Sequence, residues 1–334
     1  MSNMDLLRKR ARESRMKVAG TGVKPNFGAL KYKIRDFHFD LGKKVARGQN
    51  LEVYRPACLN NLYGRDNLCL KVFILSDKVW GHPRGVGVSN IVESSVVQNL
   101  MAIRGLAPRV YDIIKINGRV AQVTDFLTGP AGVVEIKDDR FKIDPVEITN
   151  PDNFIAGKLV DWQGSIFKDF NAYKQEVTER AQRGTLCRGA GDGAYQSSSY
   201  FDGLRDTAKR IKKYQFTGFA GKNVLDIGCN YGMMTREAYD LGAKRCVGLD
   251  WPKVIDITRE LAILDGYFNI DFYGFDLKTV EWASIVALTG IAKFDIHLFL
   301  ALENWIGWPG WVKNCSTLYY EGHGAHRDFR VEKY

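Results

Sequence analysis

The sequence lacks any recognisable cysteine arrangement. Its six cysteines, at 58, 69, 187, 229, 246 and 315, include no CxxC pair, and none has a histidine partner at ligand spacing. That argues against a disulfide framework or a structural zinc and for reduced thiols in a cytoplasmic compartment. Long apolar runs are missing as well. The opening segment MSNMDLLRKRARESRMK has no hydrophobic stretch of the secretory kind and reads as a frayed basic arm. The apolar region from Ser284 to Leu302 is broken by Lys293, Asp295 and His297, which argues against a membrane-spanning helix and against the membrane as a partner. No internal repeat and no long low-complexity tract appears.

What is present is ordinary globular material. At 334 residues, 45% hydrophobic and 26% charged, the chain is long enough for two domains with a buried core. The net charge of +10 tilts expectation towards polyanionic partners, RNA or phosphorylated small molecules among them.

From about Tyr32 to Leu127 short β-like runs dominate: LEVYRP, LCLKVFIL, RVYDIIKI and RVAQVTDFL. A helix over roughly Val92 to Ile103 interrupts them, and Asn117-Gly118 between two apolar runs predicts a hairpin. Helices are expected near 166–182 and from Asp202 to Tyr214, with a glycine-rich loop, RGTLCRGAGDGAYQSSS, between them. After Gly221 strand and helix alternate regularly, the pattern of a parallel sheet covered by helices.

The strongest chemical signal is NVLDIGCNYGMMTREAYDLGAKRCVGLD, residues 223–250. NVLDI is a short, β-rich apolar run of the kind a buried parallel strand requires. It leads into a turn bracketed by Gly228 and Gly232, then a helix stopped by Gly242, then the strand CVGLD closing on Asp250. Glycines let backbone approach a ligand, and an acid ending the second strand suits the two hydroxyls of a ribose. The first strand also ends on a carboxylate, Asp226. Beside that turn it would repel a pyrophosphate but would suit a ligand carrying an amino group and a sulfonium.

LDIGCNYG, VGLD, FYGFDL (272–277) and FDIHLFLALENWIG (294–307), in this order, resemble the successive motifs of class I S-adenosylmethionine-dependent methyltransferases. The resemblance implies a Rossmann-like α/β fold and S-adenosyl-L-methionine as cofactor. Asp226, Gly228, Cys229, Asn230 and Gly232 would lie against its methionine portion and ribose. Asp250 would hold the ribose hydroxyls, and Asp276 with Leu277 would face the adenine. Asn230 replaces the usual middle glycine and tolerates the backbone angles required there.

Reacting groups collect beyond the carboxyl ends of strands in such sheets. Glu303 and Asn304, after the fourth strand, are the expected catalytic or acceptor-lining residues, with Glu321 and His323 after the fifth as further candidates. Glu303 also suits capping of a following helix, and His297, inside a strand, reads as a hydrogen-bonded core histidine. Tyr195, Gln196, Arg205 and Arg210 precede the first strand, where family members carry a covering segment; helix surface is the plainer reading of the two arginines. The absence of an Asp/Asn-Pro-Pro-aromatic tetrapeptide and of a Pro-Cys nucleophile disfavours base-amino and covalent cytosine chemistry. The family usually has seven strands. Only GHGAHRDFRVEKY follows the fifth here, so the sheet is expected to be truncated or reduced, with an edge left open or paired with a partner. The approach YQSSSYFDGLRDTAKRI also resembles wobble-uridine tRNA-modifying methyltransferases, which keeps RNA open as the acceptor beside small molecules.

Residues 42–127 resemble the small lobe of a protein kinase: Gly42 and Gly48 before LEVYRP, Lys71 in LCLKVFIL, Glu93 on the following helix and the hinge-like QVTDFLTG. The resemblance implies ATP at Lys71 and Glu93, with Asn153 and Asp161 of NPDNFIAGKLVDWQG at the metal-binding positions. No His-Arg-Asp triplet occurs and DWQ stands for Asp-Phe-Gly, so phosphotransfer is not implied with it. The expected division is a basic arm (1–30), a kinase-lobe-like α+β domain (31–130), a connecting region (131–214) and a methyltransferase domain (215–334). The alternatives are a kinase-like ATP-binding enzyme and a non-catalytic S-adenosylmethionine-binding module.

Overall fold

The computed structural model describes residues 34–47, 51–74, 88–131, 136, 138–143, 154–160, 162, 165–183, 194–322 and 328–334. The basic arm, Gly48, Asn153, Asp161 and His323 lie outside the described residues. The fold is mixed α/β with two six-stranded sheets. It divides into two compact units: Met1–Gln175 with Ile263–Phe268, and Glu176–Ala262 with Asn269–Tyr334.

The six-stranded sheet of the first unit is made of β1 (Arg35–Phe37), β2 (Lys44–Arg47), β3 (Leu51–Tyr54), β4 (Leu68–Phe73), β5 (Val110–Ile116) and β6 (Arg119–Asp125), in order β1-β5-β6-β4-β3-β2, beside two small two-stranded pairings. Only β1 runs parallel to its neighbour, β5. The β5–β6 hairpin turns on Asn117 and Gly118, at φ +50° and +81°. Two successive positive angles make the tight reversal that matches strand twist, as the dipeptide predicts. Alternation along LCLKVF sends Leu68, Leu70 and Val72 to one face. There they pack with Leu59 and Tyr63 of the short helix α1 (Cys58–Tyr63), Ile114 and Val123.

Lys71 belongs to the opposite alternation, paired in register with Gln122, whose amide donates to Ser95 Oγ at 2.5 Å on helix α2 (Val88–Ala102). That helix carries Glu93 and is tied to β5 by a reciprocal pair: Asn99 Nδ2 donates to Val110 O at 3.0 Å, and Val110 N–H returns to Asn99 Oδ1 at 2.9 Å.

The second unit contains helix α3 (Thr207–Tyr214), then β7 (Asn223–Ile227), α4 (Met233–Asp240), β8 (Arg245–Asp250), α5 (Pro252–Leu264, entering the first unit at Ile263), β9 (Ile270–Gly274), α6 (Trp282–Thr289), β10 (Phe294–Leu300), β11 (Cys315–Glu321) and β12 (Phe329–Lys333). Sheet order is β9-β8-β7-β10-β11-β12; the first five are parallel and β12 is antiparallel to β11. This is a Rossmann-like sheet, with strand order reversing between β7 and β10. A crevice at such a switch point is where ligands settle in open α/β sheets. Leu225, Ile227, Val247, Leu249, Phe294, Phe299 and Leu318 supply the apolar interior, all essentially inaccessible to water.

The expectation that strands end with the fifth needs correcting. FRVEK pairs with CSTLYYE from Thr317↔Lys333 to Glu321↔Phe329, so the edge beside β11 is covered by the chain's own tail. Its exposed charges, Arg330 and Lys333, suit a strand that is itself an edge.

Candidate functional site

The turn after β7 is built from backbone that few residues could adopt. Gly228 and Gly232 both sit at φ +73° and Asn230 at +49°. A Cβ on Gly228 would come within 2.7 Å of Leu302 Cδ2, and one on Gly232 within 2.7 Å of the Phe272 ring. Both positions therefore demand glycine for conformation and for space. The Leu302 contact also brings the segment bearing Glu303 and Asn304 against the turn. Three motifs far apart in sequence meet here, as their order along the chain predicts.

Most of the turn's amide hydrogens are already committed. Gly228 and Cys229 N–H both donate to Leu249 O, at 2.8 and 2.9 Å, and Asn230 N–H donates to Asp250 Oδ2 at 2.7 Å. Met233 N–H, at the start of α4, reaches Gln196 Oε1 at 3.4 Å. A pyrophosphate-binding turn needs such donors turned outward to the ligand. Here they are spent on the strand tip and on a carboxylate, which favours a ligand without phosphate.

The two strand-end acids differ in setting. Asp226 is fully buried and accepts from Thr235 Oγ1 at 2.6 Å; burial pushes its carboxyl up to about 7, against the pull of that hydroxyl and with a further push from Asp250. Asp250 accepts from Asn230 N–H and from its own neighbour's Trp251 N–H, each at 2.7 Å, and burial raises its pKa despite these bonds. Two carboxylates, Asp226 buried and Asp250 half-buried, both held above the usual range, gain from any cation placed beside them.

Asp276 is exposed and accepts from Lys278 N–H at 3.0 Å, whereas the Leu277 side chain is packed in the core. Cys229 is buried, and burial first, then the two acids, raises its thiol well above the ordinary value, so it is no nucleophile.

Glu303 opens the short helix α7 (Glu303–Ile306), yet its side chain makes no cap; it accepts a hydrogen bond from Tyr320 OH on β11. Burial and then the Glu303 carboxylate push the Tyr320 hydroxyl up to about 12. Tyr320 is stacked on Trp308, with centroids 5.1 Å apart, and covered by the Arg330 guanidinium at 4.3 Å. Asn304 is exposed on the same turn. His297 is indeed a core residue: its Nδ1–H donates to Val312 O at 2.7 Å, and burial lowers its pKa to about 4.

Glu321, a further candidate expected after the fifth strand, is instead that strand's last residue. It is buried, and its carboxylate receives Tyr214 OH at 2.6 Å, Arg210 Nη2 at 2.7 Å and Lys213 Nζ at 3.3 Å. Burial opposes its charge, but the Tyr214 hydroxyl and Arg210 outweigh that and hold its pKa below the usual range. Arg210 is accordingly a structural partner, not helix surface, and Glu321 is no free base. Lys209, Lys213, Ala301 and Trp251 were not singled out by sequence. Trp251, half exposed immediately after Asp250, could have been noticed from that adjacency alone.

In the first unit, Lys71 Nζ donates to Val160 O, and the Glu93 carboxylate accepts from Phe167 N–H at 3.1 Å.

No family model matches the chain. A stretch of 49 residues, 15% of this chain, is 39% identical to protein arginine N-methyltransferase 1 of Saccharomyces cerevisiae, covering 14% of that protein. Among solved structures, the Trypanosoma brucei PRMT1 enzyme–prozyme complex with AdoHcy is 23% identical at a TM-score of 0.25, over 28% of each chain. EvdMO1 is 17% identical at 0.34, over 46% of this chain and 34% of its own. The chain thus spans about a third or less of these proteins. Each likeness is partial, and the functional reading rests on the geometry of sheet and turn. No helix among the described residues is long and apolar enough to cross a membrane.

Proposed function

We propose that the second unit is an S-adenosyl-L-methionine-dependent methyltransferase domain. The observation that carries this is the meeting of Asp226 and Asp250 around a left-handed turn, at a sheet switch point, with the turn's amides spent internally. A sulfonium nucleoside answers that arrangement: its cationic methionine end suits the Asp226 carboxylate, whose ionisation burial resists, and it carries no phosphate to be repelled. Asp250 would take the ribose hydroxyls. Asp276 and the backbone at Leu277 would border the adenine, since the Leu277 side chain is committed to the core. Gly228, Cys229, Asn230 and Gly232 would allow close approach by their backbone.

Methyl transfer needs an aligned acceptor more than strong acid–base help. Glu303, bonded by Tyr320 and next to Leu302, which packs on the turn, would accept a proton if the acceptor must lose one. Asn304 would orient the acceptor beside it. We make no matching proposal for ATP in the first unit, where Lys71 and Glu93 both engage backbone groups of that unit. Incubating the full chain with radiolabelled methyl donor and fractionated cell extract tests the reading. Label in one acceptor fraction, lost in Glu303→Gln, supports it. Donor binding without any labelled acceptor would leave a binding module in its place.

A further inference from the structure

A cleft of about 250 Å³ opens at the ends of β10 and β11, between Ala301 and Glu321 on the sheet and α3 with the loop before it. Four cations line it, Arg205, Lys209, Arg210 and Lys213, against two carboxylates, Asp206 and Glu321. Glu321 is already saturated by Arg210, Lys213 and Tyr214, and Asp206 is occupied with Lys209: its carboxylate accepts from that residue's N–H at 2.9 Å and pairs with its Nζ at 3.2 Å. Arg205 is different. Its guanidinium lies over the Tyr195 ring at 5.6 Å and, among the described residues, forms no ion pair.

The loop that carries Arg205 is closed by a parallel bridge between Gln196 and Arg205 and is rigidly built. Arg205 N–H donates to Tyr195 O at 2.9 Å and Leu204 N–H to Ala194 O at 2.8 Å. Ser197 Oγ accepts from Gly203 N–H at 3.0 Å and donates to Arg205 O at 3.2 Å. A Cβ on Gly203 would fall 2.3 Å from the Gln196 carbonyl carbon, so only glycine allows this closure. On the opposite wall Ala301 is held at φ +58°, a conformation costly for a residue with a Cβ, and its N–H is fixed on Glu321 O at 2.8 Å. A positively charged, pre-shaped cleft at the carboxyl ends of β10 and β11 asks for an anion.

We propose that this cleft holds the phosphoryl group of a small phosphorylated acceptor, with Arg205 as its principal contact and Lys209 beside it. This rests on the methyltransferase reading for the ligand's role as acceptor, though not for its binding. Arginine's planar fork suits two phosphate oxygens at once, and stacking on Tyr195 presets its plane. Gln196, next to Tyr195, accepts from Met233 N–H at 3.4 Å, which ties this wall of the cleft to the start of α4 and so to the turn of the proposed donor site. A single compact cleft fits one sugar-sized phosphate ester. A polynucleotide would instead call for a long cationic track.

The test is calorimetric titration of the full chain, at fixed ionic strength, with inorganic phosphate, hexose 1-phosphate, the parent hexose and a short single-stranded RNA. Both phosphates should bind and the neutral hexose should not. Arg205→Ala should weaken the hexose phosphate by about tenfold or more and Lys209→Ala by less, with Arg205→Lys recovering part of the loss. Binding of S-adenosylhomocysteine should stay unchanged in all three, which separates a damaged cleft from a misfolded domain. Absence of phosphate binding, indifference to Arg205→Ala, or RNA outcompeting hexose phosphate with a steep salt dependence would each overturn the proposal. Loss of S-adenosylhomocysteine binding by the wild type would count against the methyltransferase reading alone.

Discussion

The two sheets use charged residues in opposite ways. In the first unit the lysine and acids that draw attention sit within the sheet or on the helix across it, and structure consumes them. Lys71 holds a backbone carbonyl, Glu93 a backbone amide, and Asp112 accepts from Tyr63 OH at 2.8 Å and from the Arg35 guanidinium. In the second unit the acids stand at the carboxyl tips of parallel strands, where Asp226 is buried and Asp250 half-buried, both with their ionisation resisted by desolvation. A charge whose ionised form the fold supports reads as architecture. One whose ionised form the fold resists reads as a place kept for a ligand.

The sharpest way to break this contrast is to neutralise one acid from each sheet. Asp226 titrates near 7 in the folded chain against about 4 unfolded, so between those values the folded state binds the extra proton. Its contribution is therefore least favourable above pH 7 and recovers as pH falls towards 4. Asp226→Asn should stabilise the unliganded protein by as much as about 4 kcal/mol at pH 8, with no gain at pH 4, while weakening donor binding. Asp112→Asn should destabilise by about 2 kcal/mol, since Arg35 and Tyr63 lose their acceptor. Urea unfolding at the two pH values distinguishes them.

Glycines give a second comparison. Gly232 and Gly118 share a left-handed backbone, but a Cβ meets the Phe272 ring at the former and open space at the latter. Gly232→Ala should cost about 2–4 kcal/mol and Gly118→Ala about 1 kcal/mol, read from denaturation midpoints.

A smaller effect is expected at His297, whose folded pKa of about 4 lies below the unfolded value. The unfolded chain then binds the extra proton, so stability falls with acidity across that window. Between pH 7 and 5 the wild type should lose about 2 kcal/mol that His297→Leu does not lose. The smallest change is expected for Lys71→Met. It should lower stability by about 1 kcal/mol and leave donor affinity unchanged.

Much of this was legible in the sequence because period and punctuation agree. NVLDI, CVGLD and FDIHLFL are short apolar runs between glycines or charges, and each is a strand. The motif order carried the turn and both strand-end acids to one place. FRVEK was not legible as a strand, because its side chains are mostly exposed on both faces and only pairing with β11 defines it. Helix α1 was hidden among β-like runs, being six residues long and closed by Gly64 at φ +62°. The cationic cleft was legible only in fragments: Tyr195, Arg205, Arg210 and Glu321 stood out singly, but nothing in the sequence joined them. Its walls come from residues 195–213 and 301–322, and its strained member, Ala301, has no local sequence signal.

One titration bears most directly on the central claim: S-adenosylmethionine into the full chain and into Asp250→Ala. The account predicts micromolar binding by the wild type and a loss of about a hundredfold in the variant, as expected when a charged hydrogen-bonding partner of the ribose is removed. Equal affinities for the two proteins, or no heat at saturating ligand, would contradict it.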